Sequence, residues 1–317
     1  MARIQKVSIG NYPTPIVYHK GLSEETGVEL FLKEEFRSDA LGTGVKLRQL
    51  EYLIGRALQE KYDTLILDGM PNSSCGMALS HYGPLFGLDV VFLIKGEVPK
   101  EPKGNYARTL GSRTTLEYLA TTDKAEVQKK KLELLERYQA KGKRVLLVPT
   151  GATDAYTTWS GVDLAREICQ SDKRFDAAVL PTGTGGIVFG LEIGKRLFKL
   201  PWEVIGACID EDGSASYQPL FREILGQMEK QEPMGISAHD LHLYEKARGE
   251  GYGRFGPEDV ADSERILREH GVYFGPTYMH KAFVALKQMV KEGEIAPASR
   301  ALLLHTGGMS EAAYHAA

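Results

Sequence analysis

The chain has 317 residues, of which 43% are hydrophobic and 26% charged. This composition is typical of an ordinary soluble protein, and the length exceeds the ~250–300 residues at which single cores stop growing, so two lobes are expected. The net charge of −3 excludes a broad basic surface for nucleic acid or anionic membranes, and no run approaches the ~18 apolar residues of a membrane span.

The three cysteines are widely spaced and contain no CxxC pair, which argues against a disulfide framework or a zinc site. The opening residues also lack the apolar segment of a signal peptide. We therefore expect a cytoplasmic protein with reduced thiols.

The predicted elements alternate between strands and helices along the chain. Hydrophobic periodicity predicts strands at Val28–Glu35, Thr64–Leu67, Val90–Ile94, Thr114–Leu119, Arg144–Val148, Ala177–Leu180, Glu203–Ile209 and Ala301–His305. It predicts helices at Lys46–Tyr62, Ser74–Phe86, Lys124–Lys141, Trp159–Gln170, Ile187–Phe198, Pro219–Glu229, Pro257–Glu269 and His280–Lys291. This alternation predicts an α/β fold with two lobes, each a mostly parallel sheet flanked by helices. Ligands of such folds bind at the carboxyl ends of strands, so the loops there are the candidate sites.

The first candidate is PTGTGG at residues 181–186, which joins the predicted strand Ala177–Leu180 to a helix. Glycines let the backbone approach an anion closely, and the N–H groups at a helix start attract phosphate. Thr182 and Thr184 add hydroxyl donors. The segment lacks the GK[ST] of a P-loop and the full GxGxxG dinucleotide motif. A tight strand-to-helix turn without a ligand would explain the same residues.

The second candidate is Lys46, within LGTGVKLRQLEYL at residues 41–53. Lys46 precedes Leu47, which begins an apolar helical stripe that continues to Leu58, so its side chain can face a cleft. A nucleophilic lysine needs a pKa below its usual ~10.4, and burial or the start of a helix can provide this. A solvated lysine in the first turn of a helix is the ordinary alternative.

The third candidate is the polar group Asn72, Ser73, Ser74 and Cys75, which follows another predicted strand. These side chains can cap the next helix, or they can bind a carboxylate or a cofactor hydroxyl. A cysteine at a helix start can have a lowered pKa, although an inert buried thiol is commoner.

In this order, the segments resemble the 1-aminocyclopropane-1-carboxylate (ACC) deaminase and D-cysteine desulfhydrase family of pyridoxal-phosphate (PLP) enzymes. The resemblance runs from Thr14-Pro15 to HTGG at residues 305–308, which is nearly the whole chain. The family reads GGNKxRKLEYL around its Schiff-base lysine, and GTGVKLRQLEYL here gives that role to Lys46. The family's QSNH, GYG and DPVYxGKA segments match residues 72–75, 251–253 and 275–282.

The resemblance implies a role for each matched residue. Catalytic roles fall to Lys46, Ser73, Tyr252 and Tyr278. Cofactor contacts fall to Lys46, Ser74, Thr182, Gly183, Thr184, Gly185, Gly186, Ile187, Met279 and Thr306. Substrate contacts fall to Asn72, Ser73, Cys75 and Tyr156. The resemblance also implies a small lobe over residues 50–159, a large lobe over residues 1–49 and 160–317 that carries the phosphate loop, and a homodimer.

Several positions depart from the family. Val45 replaces the asparagine before the lysine, and Cys75 replaces a histidine or glutamine. The residue that contacts the pyridine nitrogen is a glutamate in ACC deaminases and a hydroxyl residue in desulfhydrases, whereas here it is Met279, which donates no hydrogen bond. Thr306 follows the desulfhydrase pattern. Glycines usual in the family are replaced by bulkier residues at Tyr156, Thr157 and Thr158.

Together these features predict a PLP-dependent lyase or deaminase that acts on a small amino acid by β-elimination and releases ammonia and a keto acid. The altered residues leave open replacement, cyclisation or racemisation in a specialised pathway. A non-catalytic paralogue is a third possibility, against which the retained lysine, serine and tyrosines argue.

Overall fold

The computed structural model describes residues 5–312. Within that range the chain forms two compact units. The first unit contains residues 5–9 and 46–157, and the second contains residues 10–45 and 158–312. Within residues 5–312, no helix is both long enough and apolar enough to cross a membrane.

Residues 5–312 contain ten strands and ten α-helices. The strands are β1 (Ile16–Tyr18), β2 (Glu29–Glu34), β3 (Thr64–Gly69), β4 (Asp89–Lys95), β5 (Thr115–Leu119), β6 (Val145–Leu147), β7 (Ala177–Thr182), β8 (Glu203–Cys208), β9 (His242–Tyr244) and β10 (Arg300–His305). The α-helices are α1 (Lys20–Thr26), α2 (Lys46–Gln59), α3 (Ser74–Tyr82), α4 (Gly104–Leu110), α5 (Lys124–Gln139), α6 (Trp159–Cys169), α7 (Gly186–Leu197), α8 (Gly213–Gln231), α9 (Pro257–His270) and α10 (Met279–Glu292). Short 3-10 helices lie at Glu35–Arg37, Gly83–Phe86 and Thr150–Ala152.

The first unit has a four-stranded parallel sheet in the order β5-β4-β3-β6. Every residue of β3 is buried, because β3 is an inner strand and helices α3 and α5 contact it. The second unit has a six-stranded sheet in the order β1-β2-β10-β7-β8-β9, parallel except for the β1–β2 pair. Since β7 and β10 are parallel neighbours, the loops after Thr182 and His305 leave the same edge of this sheet.

These findings confirm the predicted fold class, and each predicted strand and helix is present. The sequence missed β1, α1, α4 and β9, which have 3 or 7 residues each and are too short for a clear periodicity. The predicted start of α8 at Pro219 is wrong, since α8 begins at Gly213 and contains the proline. Leu58 is 41% exposed rather than part of the apolar stripe, and it lies in the last turn of α2.

Candidate active site

Lys46 is the first residue of α2, and its amine is held inside the first unit. Its Nζ donates to Gln49 Oε1 at 2.8 Å and to the carbonyl of Gly151 at 2.7 Å. Gln49 is fully buried and donates in turn to Ala152 O at 3.1 Å. Burial lowers the pKa of Lys46, and the nearby Cys75 offsets only part of this effect. The partly buried, oriented amine differs from a solvated lysine and resembles a nucleophile.

The carbonyls that accept these bonds belong to an unusual backbone segment. Gly151 has φ +65° and Ala152 has φ +56°, so two consecutive residues adopt the left-handed region. For alanine this conformation costs about 1–2 kcal/mol, and such residues occur where function requires a special backbone geometry. Both carbonyls serve the Lys46–Gln49 pair.

The polar loop before α3 is bonded internally. Ser73 is the N-cap of α3, and its Oγ accepts from Gly76 N at 3.1 Å. Asn105, which is 3% exposed, donates from its backbone N to Asn72 Oδ1 at 2.7 Å and from Nδ2 to Ser74 Oγ at 3.1 Å. Accepting a bond leaves the Ser73 hydroxyl proton available for donation. Sequence reasoning missed Asn105, because no local pattern links it to residues about thirty positions earlier.

Cys75 is buried next to this loop. Burial raises the pKa of the Cys75 thiol, Lys46 lowers it in part, and Asp68 raises it. The position of Cys75 at the start of α3 therefore does not make it a thiolate, and Cys75 is better described as an inert buried thiol.

Asp68 lies near the end of β3 in a charged cluster that the sequence did not reveal. Its two carboxylate oxygens accept from Lys131 Nζ and Lys95 Nζ, each at 2.8 Å, and Thr150 Oγ1 lies 3.2 Å away. Burial favours the neutral acid, but the two lysines outweigh it and hold the pKa of Asp68 below its usual value. The cluster joins β3, β4 and α5 to the segment that contains Gly151.

Tyr156 stacks against Arg56, whose guanidinium carbon lies 4.2 Å from the ring centroid. Arg56 also donates to Asp154 Oδ2 at 3.2 Å. The Tyr156 ring, to which the family resemblance gives a substrate contact, is thus held by a cation–π contact with Arg56, and the ion pair with Asp154 holds Arg56 in turn.

The loop before α7 has the features of an anion site. Gly185 is the N-cap of α7 with φ +87°, and an added Cβ would lie 2.1 Å from Phe189 Cζ. No side chain caps this helix. Its first N–H groups, at Gly186 and Ile187, and the helix dipole therefore suit a phosphate. Tyr217 fixes the loop, because its hydroxyl lies within hydrogen-bond distance of Gly183 O.

Thr182 has a different position from that expected of a phosphate ligand. It belongs to β7 and is 2% exposed. Its Oγ1 lies 3.5 Å from Leu180 O and only 2.7 Å from the place that a Cβ on Gly206 would take. The hydroxyl is packed within the sheet, so the loop from Gly183 onward is the better candidate for phosphate contacts.

Tyr252 and Tyr278 form a pair next to this loop. Their ring centroids are 5.7 Å apart in an edge arrangement. A Cβ built on Gly183 would lie 3.3 Å from Tyr278 Cε1. Burial raises the pKa of Tyr278 well above its usual value, and Tyr252 raises it further. Lys281 supports the pair by donating to the carbonyl of Gly251.

Met279 and Thr306 are in direct contact. Met279 is fully buried, and its sulfur accepts from Thr306 N at 3.3 Å, with Thr306 Oγ1 at 3.6 Å. His280 is bonded to Asp262 at 2.9 Å and is therefore unavailable to replace the missing glutamate. The hydroxyl group beside the Met279 thioether belongs to Thr306.

His305 has a structural role at the end of β10. It is fully buried between the rings of Phe36 and Phe274, and its Nε2 lies 2.8 Å from Tyr273 O. Burial lowers the pKa of His305 to about 4, so the imidazole is neutral and donates to that carbonyl.

A family model described as "Pyridoxal-phosphate dependent enzyme" matches residues 7–307. The chain belongs to this family. The match confirms the resemblance drawn from the motifs and identifies the chain as a PLP-dependent enzyme.

Among relatives of this PLP-dependent enzyme, a Pyrococcus horikoshii protein named "Putative 1-aminocyclopropane-1-carboxylate deaminase" is 28% identical over 98% of this chain and 94% of its own length. The D-cysteine desulfhydrase of Klebsiella pneumoniae strain 342 is 27% identical over 99% of this chain and 98% of its own length. The solved structure of an ACC deaminase homologue aligns with a TM-score of 0.91 at 25% identity, covering 99% of this chain and 95% of that one.

Proposed function

We propose that the chain is a lyase that eliminates a β-substituent from a small amino acid and releases ammonia and a keto acid. The observation that carries this proposal is the tyrosine pair, because Tyr278 lies against Gly183 and the Tyr252 ring packs edge-on against it. A proton-bearing group thus lies beside an uncapped helix start. The relatives named D-cysteine desulfhydrase and ACC deaminase support the same class of reaction.

The residues present fit PLP. The N–H groups of Gly186 and Ile187 would hold its phosphate, with Gly183, Thr184 and Gly185 forming the turn around it. Lys46 would bond to its aldehyde carbon, because a lowered pKa increases the fraction of neutral amine. Once bound, the cofactor supplies an electron-withdrawing ring that stabilises negative charge at the substrate Cα. We assign the contact with the ring nitrogen to Thr306, since Met279 donates no hydrogen bond.

The side chains then divide the handling of protons. Lys46 Nζ takes the proton from the substrate Cα. Tyr278 keeps its phenolic proton at neutral pH and delivers it to the leaving group, and the Tyr252 ring packs edge-on beside it. The Ser73 hydroxyl donates to the substrate carboxylate while its oxygen caps α3. Asn72, Cys75 and Tyr156 shape the surface against which the substrate packs.

Met279 favours a second candidate reaction. A thioether does not keep a proton on the ring nitrogen, so a fully delocalised negative charge is less favoured than with a glutamate partner. Replacement, cyclisation or racemisation is therefore the alternative to elimination. A panel of D-cysteine, ACC and O-acetylserine separates the two. Pyruvate from D-cysteine supports the desulfhydrase-like elimination, whereas no product from any of the three supports the alternative.

Substitution of Lys46 tests the cofactor assignment. Borohydride reduction of the wild-type protein should fix one pyridoxyl group on the peptide that contains Lys46, as measured by mass spectrometry. Lys46→Ala should take no label and lose ~10²–10⁴-fold in turnover. Lys143→Ala, which removes a lysine of the same unit that pairs with Asp89, is the control and should label normally. Labelling or undiminished turnover in Lys46→Ala would remove this lysine from the mechanism.

The proposal includes a cytoplasmic homodimer. The motif resemblance supports the dimer, and the unpaired state of all three cysteines agrees with a reducing compartment. Sedimentation of the purified protein at several concentrations measures the assembly directly.

A further inference from the structure

Glu311 is a buried acid next to the tyrosine pair, and neither the motifs nor the family resemblance point to it. Its side chain accepts from Thr277 N at 3.1 Å through Oε2, and its own backbone N donates to Gly308 O at 3.0 Å. The residue is 6% exposed. A Cβ added to Gly275 would lie 2.6 Å from the same Oε2, so the carboxylate can reach the 275–278 turn only because residue 275 is a glycine.

The charge of Glu311 acts on the tyrosines around it. Its ionised form raises the pKa of Tyr252, of Tyr278 and of Tyr273, which are the titratable groups on the segments that face it. Within residues 5–312, no lysine, arginine or histidine contributes to its titration. Burial raises the pKa of Glu311 to about 7, although hydrogen bonds from Thr277 oppose the shift.

We propose that Glu311 is a positioning residue for the tyrosine pair: its carboxylate holds the 275–278 turn through Thr277 and thereby places the Tyr278 hydroxyl. The inference rests on the proposed function, because that function gives Tyr278 the proton for the leaving group. The ionised carboxylate is the effective form. It accepts the Thr277 N–H more strongly than the neutral acid does, so the turn is held best when Glu311 is charged.

Glu311→Gln separates charge from shape, because its amide oxygen can still accept from Thr277 N. The first measurement uses the PLP-free protein and follows Tm between pH 5 and pH 8. Between the ordinary carboxyl pKa of 4.5 and about 7, Glu311 of the wild type keeps its proton in the folded state and loses it in the unfolded state. The stability of the wild type therefore falls as pH rises through this window. The Tm of Glu311→Gln relative to the wild type should therefore increase by about 5 °C across the range.

The second measurement uses the holoenzyme with the substrate found in the panel. Wild-type kcat should rise with pH through neutrality as Glu311 ionises. Glu311→Gln should lose this limb and about tenfold in kcat at pH 8, with KM changed less than about threefold, because the residue acts through Tyr278 and not on substrate binding. Glu223→Gln, an exposed carboxylate of α8, is the matched control and should keep the wild-type profile.

Glu311→Asp provides the complementary variant, since it keeps the charge but shortens the reach to Thr277. It should keep the pH-dependent limb and lose kcat, and it gives the same two measurements if Glu311→Gln does not fold. The role of Glu311 alone is overturned by the following result: the wild type takes the pyridoxyl label and is active, and Glu311→Gln or Glu311→Asp has the same kcat at every pH. A wild type that takes no pyridoxyl label and turns over no amino acid overturns the proposed function, and the assignment of Glu311 with it.

Discussion

Helices α3 and α7 both begin just after an inner strand of a parallel sheet, but their first turns are completed differently. At the start of α3, the Ser73 side chain accepts from a backbone N–H of the first turn. At the start of α7, Gly185 has no side chain to offer, and its φ of +87° and its closeness to Phe189 disfavour any other residue. A capped helix start is satisfied within the protein, whereas an uncapped one is ready for an external anion.

The same contrast extends to the surrounding residues. The loop before α3 is held by hydrogen bonds to Asn105. The Ser73 hydroxyl proton is not used by the helix cap and is left to donate to a ligand. The loop before α7 lies against Tyr278, which holds a proton of its own. The first arrangement suits recognition of a substrate group, and the second suits a cofactor phosphate with proton transfer beside it.

The largest effect is expected from Gly185→Ala, which removes the uncapped geometry. The left-handed φ and the overlap with Phe189 should together lower the free energy of unfolding by about 2–4 kcal/mol. PLP affinity should fall about tenfold or more, as judged by equilibrium dialysis, since displaced N–H groups no longer meet the phosphate.

Gly271→Ala is the control for Gly185→Ala. Its φ is +70°, but a Cβ there meets nothing within 4 Å, so the variant should lose about 1 kcal/mol and keep its PLP affinity. Equal PLP affinities in the two variants would show that the start of α7 does not bind the phosphate.

A smaller effect on stability is expected from Ser73→Ala, which removes the cap of α3. Loss of an N-cap should lower the free energy of unfolding by about 1 kcal/mol in urea denaturation. If Ser73 also donates to the substrate carboxylate, KM should rise about tenfold while PLP labelling is unchanged. Asp123→Ala removes the exposed cap of α5 in the same unit and should lose similar stability without a change in KM. If KM is the same in Ser73→Ala and Asp123→Ala, Ser73 acts only as a helix cap.

The smallest effect is expected from inorganic phosphate added to the PLP-free protein. At a concentration twice its Kd, phosphate should stabilise the wild type by about 0.6 kcal/mol and raise Tm by roughly 1–3 °C. Chloride at equal ionic strength is the control, and Gly185→Ala should show no shift with phosphate. A shift that is equal in the wild type and in Gly185→Ala would place the phosphate effect elsewhere.

The candidate site was predictable from the sequence to different degrees. The glycine loop and Lys46 were found from local patterns, because a strand, a turn and a helix start are encoded by neighbouring residues. Gln49 was missed, although its place one helical turn after Lys46 is a usable signal. Tyr252 and Tyr278 needed the family resemblance, since fifteen tyrosines gave no reason to choose these two. Asn105 and Glu311 carried no signal, because their partners lie 33 and 34 residues away.

The sequence by itself determined the alternation of strands and helices, the parallel sheets and the positions of the loops at the strand ends, because periodicity and glycine placement are local properties. Tertiary structure alone decided that the Thr182 hydroxyl packs within its sheet, that Met279 faces Thr306, and that Glu311 lies buried beside the tyrosines. The physical reason is that burial, charge and hydrogen-bond partners depend on segments distant in the chain, and these set what each side chain can do.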